Sequence, residues 1–368
     1  MTVFISIPWF LPAYKAGGPI QSIANLIANF KTDITYKIYT SNRDLDGSLL
    51  NNVEENTWVN FNDYTSVFYA TNTNKKLFQK EIRNVNPDIL FIIGIFSWAF
   101  NILPILLPFK NKKILSTRGM LHPGALSQKR IKKQLFLQFL KTIKIKEKLT
   151  FHATDAVESF HIKNVFGLNS NIIIASNFGK IINREKYLFK EVGFLKMITV
   201  ALISPMKNYL LILQALKNCV VNIEYTICGP IKDKIYWQQC LAVINEMPAN
   251  IIVNYIGEIN PSLVQNVLCK HHIFIMPSKS ENFGHSIFEA LSAKMPVITS
   301  HFTPWNNLEK ENAGFNVPLT IESILNAINF FSSTNNKEYL HYSEGAYQYF
   351  CDKNLVSAKQ KAYKTLFS

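Results

Sequence analysis

The chain has 368 residues, enough for about two domains, and its content of 48% hydrophobic and 17% charged residues excludes a disordered protein. The formal net charge of +14 at pH 7 predicts an acidic partner. No nucleic-acid-binding motif accompanies this charge, so an anionic membrane or a phosphorylated substrate is favoured over nucleic acid.

Two features of the sequence predict a cytoplasmic protein. The five cysteines form no C-x-x-C pair and are odd in number, which is typical of buried thiols in a reducing compartment. The first ten residues, MTVFISIPWF, lack the basic region and the cleavage site of a secretory signal. They predict a buried strand instead.

Apolar runs alternate with helical patterns through the first half of the chain, which predicts βαβ units and a mostly parallel sheet. Ligands of such sheets bind beyond the carboxyl ends of the strands. The predicted strands include Val3–Ile7, Ile34–Tyr39, Ser66–Tyr69, Ile114–Ser116 and Ile172–Ala175.

The loop after the first predicted strand ends in Gly17, Gly18 and Pro19. Proline suits the first position of a helix, and two adjacent glycines allow a ligand to approach the backbone closely. The same residues are common in simple turns, so both interpretations stay open.

The segment Ile89–Phe109 carries no charged residue and is long enough to span a membrane. Pro104 and Pro108 would break the second half of such a helix. We therefore predict a buried strand at Ile89–Ile95 followed by a helix, with a membrane span as the alternative.

Two polar strings follow predicted strands of the first half. The string STRGMLHPGAL, residues 116–126, offers Arg118 and His122 as candidates for substrate contact. In the string FHATDAVE, Asp155 and Glu158 have the spacing of a helix capping box. We assign that second pair a structural role only.

The segment Lys129–Lys148 carries eight Lys or Arg side chains. Its apolar residues are Ile131, Leu135, Phe136, Phe139, Leu140 and Ile143. A basic amphipathic helix of this kind can lie in a membrane interface, where each Lys or Arg contributes about 1 kcal/mol of attraction to anionic lipid. The sequence favours contact with the inner leaflet, and a solvated helix with one buried stripe is the alternative.

The α/β pattern repeats after a charged linker at Phe178–Phe194, so a domain boundary is predicted between residues 178 and 179. The loop Ser204–Asn208, which contains Lys207, follows the first strand of the second half. The strands predicted there are Met197–Ile203, a strand ending at Cys228, Ile251–Gly257, Ile273–Met276 and Met295–Ser300.

The most specific pattern follows Met276. A polar loop contains Glu281, and Glu289 lies eight residues later inside a predicted helix. Four backbone N–H groups stand near the start of that helix, those of Phe283, Gly284, His285 and Ser286. Such groups suit a phosphate, and a carboxylate in the following helix can accept hydrogen bonds from ribose hydroxyls. The alternative is an ordinary helix start with two solvated glutamates.

The string PSKSENFGHSIFEALSAKMPVI, residues 277–298, resembles the signature of family-4 (group 1) glycosyltransferases. The R-G-M-L-x-P and H-A-T-x-x-x-E strings of the first half resemble the same family. The resemblance implies a GT-B fold: two Rossmann-like α/β domains facing across a cleft, with an acceptor domain at 1–178, a donor domain at 179–351 and a C-terminal helix at 352–368 that crosses back.

The resemblance also implies an activity. These are retaining enzymes, and we expect a sugar to move from a UDP-sugar to a lipid-linked glycan in capsule, O-antigen or exopolysaccharide biosynthesis. The protein would lie at the inner face of the cytoplasmic membrane. Neither a metal ion nor another cofactor is expected, and Asp44-Leu45-Asp46, which has the letters of a metal-binding DxD motif, lies in a Ser/Asn/Gly loop.

The resemblance assigns donor-binding roles. Lys207 would contact the donor diphosphate, and the Phe283 to Ser286 amides would assist. Glu289 would hold the ribose, and Glu281 would contact the sugar or the charge at its anomeric carbon. Gly17 and Gly18 would face the donor phosphates.

His122 lies where many relatives carry a histidine near the transferred sugar. We therefore name His122, Glu281 and Lys207 as catalytic candidates, and Arg118 with His122 as the acceptor side. Leu202 departs from the family pattern, because relatives usually carry an arginine there. A hydrogen bond to a charged group is worth about 1.5–3 kcal/mol, so its loss would weaken donor binding or catalysis roughly tenfold to 150-fold.

Two alternatives remain open. Leu202 favours an inactive assembly partner, and a sugar-nucleotide epimerase of similar fold would need no acceptor. Trp305, in a T-P-W string typical of the polysaccharide subgroup, has two interpretations, a residue near the donor site and a core residue.

Overall fold

The computed structural model describes residues 1–31, 33–127 and 130–368, and its contacts divide the chain into two units. The first unit comprises Met1–Phe178 and Val356–Ser368, and the second comprises Gly179–Leu355. Each unit contains a sheet with a hydrophobic core on both of its faces.

The first unit is built on a mostly parallel sheet. Its strands are β1 (Thr2–Ser6), β2 (Thr35–Ser41), β3 (Trp58–Asn62), β4 (Thr65–Ala70), β5 (Ile89–Ile93), β6 (Lys112–Ser116), β7 (Thr150–Ala153) and β8 (Ile172–Ile174). They lie in the order β3-β4-β2-β1-β5-β6-β7-β8, and β3 pairs antiparallel with β4. The helices that cover this sheet are α1 (Gly18–Asn29), α2 (Lys75–Val85), α3 (Leu103–Leu106), α4 (Pro123–Ser127), α5 (Arg130–Thr142) and α6 (Ala156–Phe166).

The second unit has a parallel sheet of its own. Its strands are β9 (Phe194–Val200), β10 (Asn222–Cys228), β11 (Ile251–Tyr255), β12 (Ile273–Met276), β13 (Val297–Ser300) and β14 (Gly314–Val317), in the order β11-β10-β9-β12-β13-β14. Its helices are α7 (Tyr209–Leu216), α8 (Lys234–Ile244), α9 (Val264–Leu268), α10 (His285–Ser292), α11 (Ile321–Ser333) and α12 (Asn336–Lys353). Successive side chains of a strand enter opposite cores, as Met197 and Ile198 do.

The uncharged segment 89–109 forms a strand and short helical turns. β5 is buried throughout, and a π-helical turn at Trp98–Ile102 leads into α3, where Pro104 lies in the first turn. Within the described residues, no helix combines the length and the apolar character needed to cross a membrane.

The last helix, α13 (Val356–Phe367), belongs to the core of the first unit. Tyr363 stacks on Phe178 with ring centroids 5.5 Å apart, and Phe367 contacts Phe91. The predicted start of this helix at residue 352 is wrong by four residues, because α12 continues to Lys353.

Two other expectations need correction, and one falls partly outside the described residues. The sequence analysis missed β3, an edge strand with two exposed residues, and the four-residue β14. The five cysteines are free, but Cys351 is exposed rather than buried. The predicted basic segment begins at Lys129, which lies outside the described residues.

Replacing Gly314 with Ala should destabilise the second unit strongly. Gly314 has φ 137°, and a Cβ there would lie 1.9 Å from the Val297 carbonyl oxygen in the neighbouring strand. The overlap is with backbone, so we expect a loss of at least about 3 kcal/mol of unfolding free energy, measured by urea denaturation. Gly193→Ala is the control, because Gly193 also has a positive φ but no described atom lies within 4 Å of its Cβ position. The control should lose about 1–2 kcal/mol, and equal losses in the two variants would contradict the steric explanation.

Candidate active-site residues

Three loops of the second unit meet at the carboxyl edge of its sheet. They follow β9, β12 and β13, which are neighbours in the sheet and parallel. The Lys279 N–H donates to the Met206 carbonyl at 2.9 Å, and the Glu281 N–H donates to the Phe302 carbonyl at 3.0 Å. These backbone bonds join the central loop to both of its neighbours.

The same arrangement brings Lys207 and Glu281 together. The Lys207 ammonium forms an ion pair with Oε1 of Glu281, and both side chains are largely buried. The Ser278 hydroxyl donates to the same oxygen at 2.8 Å. A cation and a carboxylate therefore lie side by side where ligands of parallel sheets bind.

Glu289 lies on α10 and differs from Glu281 in its surroundings. Its side chain is buried, and within the described residues no donor makes a hydrogen bond to its carboxylate. Burial raises the pKa of Glu289 to about 7, although the positive charge of Lys180 opposes the shift. A buried carboxylate without donors can accept hydrogen bonds from a ligand that supplies hydroxyl groups.

The start of α10 depends on Gly284. This residue has φ 72° and stands before the first helical residue, and no described side chain caps the helix there. A Cβ at Gly284 would lie 3.2 Å from Nε1 of Trp305. Glycine therefore permits the left-handed turn that leads from Phe283 into the first N–H groups of the helix.

Trp305 supports this turn from the core. It is buried, and its indole N–H donates to the Phe283 carbonyl at 2.6 Å. Its ring also packs edge-to-face against Phe283 and Phe288. Of the two interpretations of Trp305, these contacts favour the core residue.

In the first unit, the glycine loop before α1 is held by a neighbouring loop. Gly17 has φ 68° and precedes the helix, with Pro19 in its first turn. The N–H groups of Tyr14 and Lys15 donate to Asp44 at 3.0 and 3.3 Å. Lys15 also pairs with Asp46 at 2.7 Å, a contact that lowers the pKa of that carboxyl. The two aspartates of the D-L-D string therefore bind protein groups. Elsewhere in the described chain too, no three His, Cys, Asp or Glu side chains are grouped as metal ligands.

Glu158 organises the loop that carries Arg118, a role that the sequence analysis missed. Its carboxylate accepts hydrogen bonds from the Thr117 hydroxyl, the Gly119 N–H and both the N–H and the hydroxyl of Thr154, at 2.6–2.8 Å. Burial raises the pKa of Glu158, but these donors outweigh it and the net shift is downward.

The predicted capping box forms only in part. Asp155 caps the Glu158 N–H at 2.7 Å, whereas the Glu158 carboxylate reaches the Thr154 N–H instead of the cap residue. The role of Glu158 in holding the Arg118 loop depends on its buried position, on the face of the helix that lies against the sheet. The spacing of the capping box alone does not reveal that burial.

Arg118 and His122, the predicted acceptor side, have different environments. Arg118 has φ 51° and donates to Asn177 through Nη1, while Nε and Nη2 are buried without a hydrogen-bond partner in the described structure. The bond to Asn177 holds the Arg118 side chain against its own unit, and its acceptor-side role stays a prediction. His122 lies against His161 with ring centroids 5.0 Å apart. Burial lowers the pKa of His122, and the charge of His161 lowers it further. Its Nδ1 accepts from the Gly124 N–H at 3.1 Å, so the neutral ring carries its proton on Nε2.

The structure thus groups the predicted residues within each unit. Lys207 and Glu281 are in contact, and the turn at Phe283 to Ser286 and Glu289 lie on the same loop-helix segment. Gly17, Gly18, Arg118 and His122 belong to the first unit.

Comparison with known proteins gives one family match, which lies within the second unit. Residues 182–349 match the family described as glycosyl transferases group 1. Among curated proteins, none matches the chain.

Solved structures match the whole chain in fold. A sucrose-phosphate synthase from Thermosynechococcus elongatus is 13% identical, with a TM-score of 0.75 and coverage of 100% of this chain and 98% of that one. Anabaena Alr3699/HepE, solved with UDP-glucose, is 12% identical, with a TM-score of 0.73 and coverage of 100% and 99%. WaaG, a glycosyltransferase involved in lipopolysaccharide biosynthesis, is 11% identical, with a TM-score of 0.67 and coverage of 99% of both chains. The predicted α/β fold class, GT-B with two Rossmann-like domains, is confirmed, and residues 182–349 resemble group 1 glycosyltransferases in sequence.

Replacing Glu289 with Gln should stabilise the protein at pH 8 and have little effect at pH 4.5. The folded-state pKa of about 7 exceeds the ordinary value of 4.5, so between these pH values the folded state holds a proton that the unfolded state has lost. The contribution of Glu289 to wild-type stability should therefore fall by roughly 3 kcal/mol as the pH rises through this window. Burial lowers the pKa values of His152, His271 and His272 to about 4, which acts in the opposite direction but equally in both proteins, so the difference between the proteins isolates Glu289. Gln carries no charge and should remove this fall.

The measurement is the unfolding temperature of both proteins at pH 4.5 and pH 8. Glu185→Gln, at an exposed glutamate, is the matched control and should behave as wild type. A difference in unfolding temperature between wild type and Glu289→Gln that is the same at both pH values would show that Glu289 is not held in an unfavourable charged state.

Proposed function

We propose that this protein is a retaining glycosyltransferase that moves a sugar from a UDP-sugar to a lipid-linked glycan acceptor. The observation that carries the proposal is the contact of Lys207 and Glu281 beside the α10 turn. It lies within the segment that matches glycosyl transferases group 1. Alr3699/HepE, a protein of similar fold, was solved with UDP-glucose, which supports uracil as the base of the donor nucleotide.

In this proposal the donor diphosphate lies between Lys207 and the first amides of α10. The cation and the helix N-terminus would stabilise the negative charge that develops on the leaving diphosphate. Without a bound donor, the Glu281 carboxylate forms an ion pair with the Lys207 ammonium. Diphosphate oxygens would replace it there, which releases the Glu281 carboxylate to contact the sugar or the charge at its anomeric carbon.

The remaining roles follow from the surroundings of each residue. Glu289 is buried and has no donor among the described residues, and it would accept hydrogen bonds from the ribose hydroxyls. The exposed Gly18 and its neighbour Gly17 would let the phosphates approach the backbone. His122, with its proton on Nε2, would donate to the transferred sugar or its acceptor. We assign no protein nucleophile, and we propose front-face transfer without a metal ion or other cofactor.

The biological setting is part of the same proposal. We place the reaction in capsule, O-antigen or exopolysaccharide biosynthesis, at the inner face of the cytoplasmic membrane. The R-G-M-L-x-P string and the basic segment around α5 support this setting, and WaaG is described as a lipopolysaccharide glycosyltransferase. These observations favour a lipid-linked acceptor over a free sugar.

One observation favours a second candidate, an inactive assembly partner. Leu202 stands where related enzymes usually carry a diphosphate-binding arginine, so the site holds one cation fewer than expected. An inactive partner would bind nucleotides poorly and would be insensitive to changes at Glu289.

Nucleotide binding tests the proposed function directly. The unfolding temperature is measured with UDP, GDP, ADP and CMP, for the wild type and for Glu289→Gln. A ligand at 100 times its dissociation constant adds about 2.7 kcal/mol, so UDP should raise the unfolding temperature by several degrees. The variant should be folded but should lose this shift. If no nucleotide shifts the wild type, the inactive-partner candidate is the better explanation.

Replacing Leu202 with Arg should strengthen UDP binding by tenfold or more, because a hydrogen bond to a charged group contributes about 1.5–3 kcal/mol. UMP, which lacks the second phosphate, should gain less. Leu202→Met, similar in size and uncharged, is the control, and calorimetry with both nucleotides is the measurement. Equal changes for UDP and UMP would show that residue 202 does not face the diphosphate.

A further inference from the structure

The helix α5 exposes a row of large apolar side chains that the first unit does not cover. Ile131, Leu135 and Phe139 are 73%, 68% and 47% exposed. They are four residues apart, so they lie along one face of the helix. We call these three side chains the α5 ridge.

The other apolar residues of this helix pack against the core of the first unit. Leu137 and Leu140 are buried, and Phe136 and Ile143 pack against the core that they join. The Phe136 ring contacts Phe96 with centroids 6.1 Å apart. The predicted single stripe is therefore divided between two opposite faces, and a solvated helix with one buried stripe does not explain the ridge.

Basic side chains flank the ridge on both sides. Arg130, Lys132 and Lys141 are exposed on the helix, and Lys144 and Lys148 are exposed directly after it. Residues 130–148 contain seven Lys or Arg and one acidic residue, Glu147. Apolar side chains between cations match the boundary between lipid headgroups and acyl chains.

We propose that α5 binds flat on an anionic membrane, with Ile131, Leu135 and Phe139 inserted below the headgroups and the flanking Lys and Arg side chains paired with lipid phosphates. A second protein chain would need a broader apolar surface than three side chains bordered by like charges. This proposal rests on the proposed function, because membrane binding would hold the enzyme at a lipid-linked acceptor. It goes beyond that function by naming the three apolar side chains that insert into the membrane.

The test is sedimentation of the full chain with vesicles of phosphatidylcholine, alone or with about one third phosphatidylglycerol. The wild type should bind the anionic vesicles and should lose binding as salt rises. The variant I131S/L135S/F139S should bind at least about tenfold more weakly. Lys132→Gln combined with Lys141→Gln should weaken binding to anionic vesicles only.

The matched control is V220S/I235S/I252S, which replaces side chains of the second unit that are 89%, 77% and 52% exposed. It should bind vesicles as the wild type does. Equal binding by the ridge variant and this control, or no vesicle binding by the wild type, would overturn the proposal. So would a wild-type dimer that the ridge variant makes monomeric without any vesicle binding, which would identify a self-association surface.

The UDP-dependent rise in unfolding temperature is measured on the same variants. It should be unchanged in the ridge variant, which shows that the fold and the nucleotide site are intact. If UDP did not bind the wild type, the proposed function would be refuted while the vesicle result would stand. Failure of the proposed function and failure of the membrane proposal are therefore distinguishable.

Discussion

Parallel pairing of β9, β12 and β13 is the constraint on which the second unit's candidate site depends. Parallel neighbours end at the same edge, so the loops that follow them leave the sheet side by side. Lys207 and Glu281 are 74 residues apart in the chain and still form an ion pair. The bond from Lys279 to Met206 fixes the two loops at the backbone, so the side chains meet in a defined geometry.

Two buried glutamates show how surroundings decide what a carboxylate does. Glu158 accepts four hydrogen bonds, which lower its pKa despite burial, and it anchors the loop at Thr117 to Gly119. Glu289 is buried to a similar degree, but no described group donates to it and its pKa is raised. The protein itself supplies the hydrogen-bond donors of Glu158, whereas the Glu289 carboxylate can accept hydrogen bonds from a ligand.

The fold was largely predictable because apolar runs and turn residues are local signals. The strand Ile273–Met276 was predicted at its observed bounds, and most others within a few residues. The edge strand β3 was missed because its exposed residues lack an apolar run. The helix α5 was recognised as amphipathic, but its apolar residues were read as one stripe. Which of them face the core depends on where the sheet and Phe96 lie, and those contacts are made by distant parts of the chain.

The sequence by itself determined the two-unit α/β architecture, the loop with Lys207, and the turn between Glu281 and Glu289, because spacing and residue type carry that information. Only the tertiary structure decided which of these groups is already paired. It joined Lys207 to Glu281, turned Arg118 towards Asn177 and placed Trp305 behind Phe283. It also left Glu289 without a donor in the part of the chain that the structure describes. The physical reason is that burial and hydrogen-bond partners are set by segments far apart in the chain, which meet only when the sheets form.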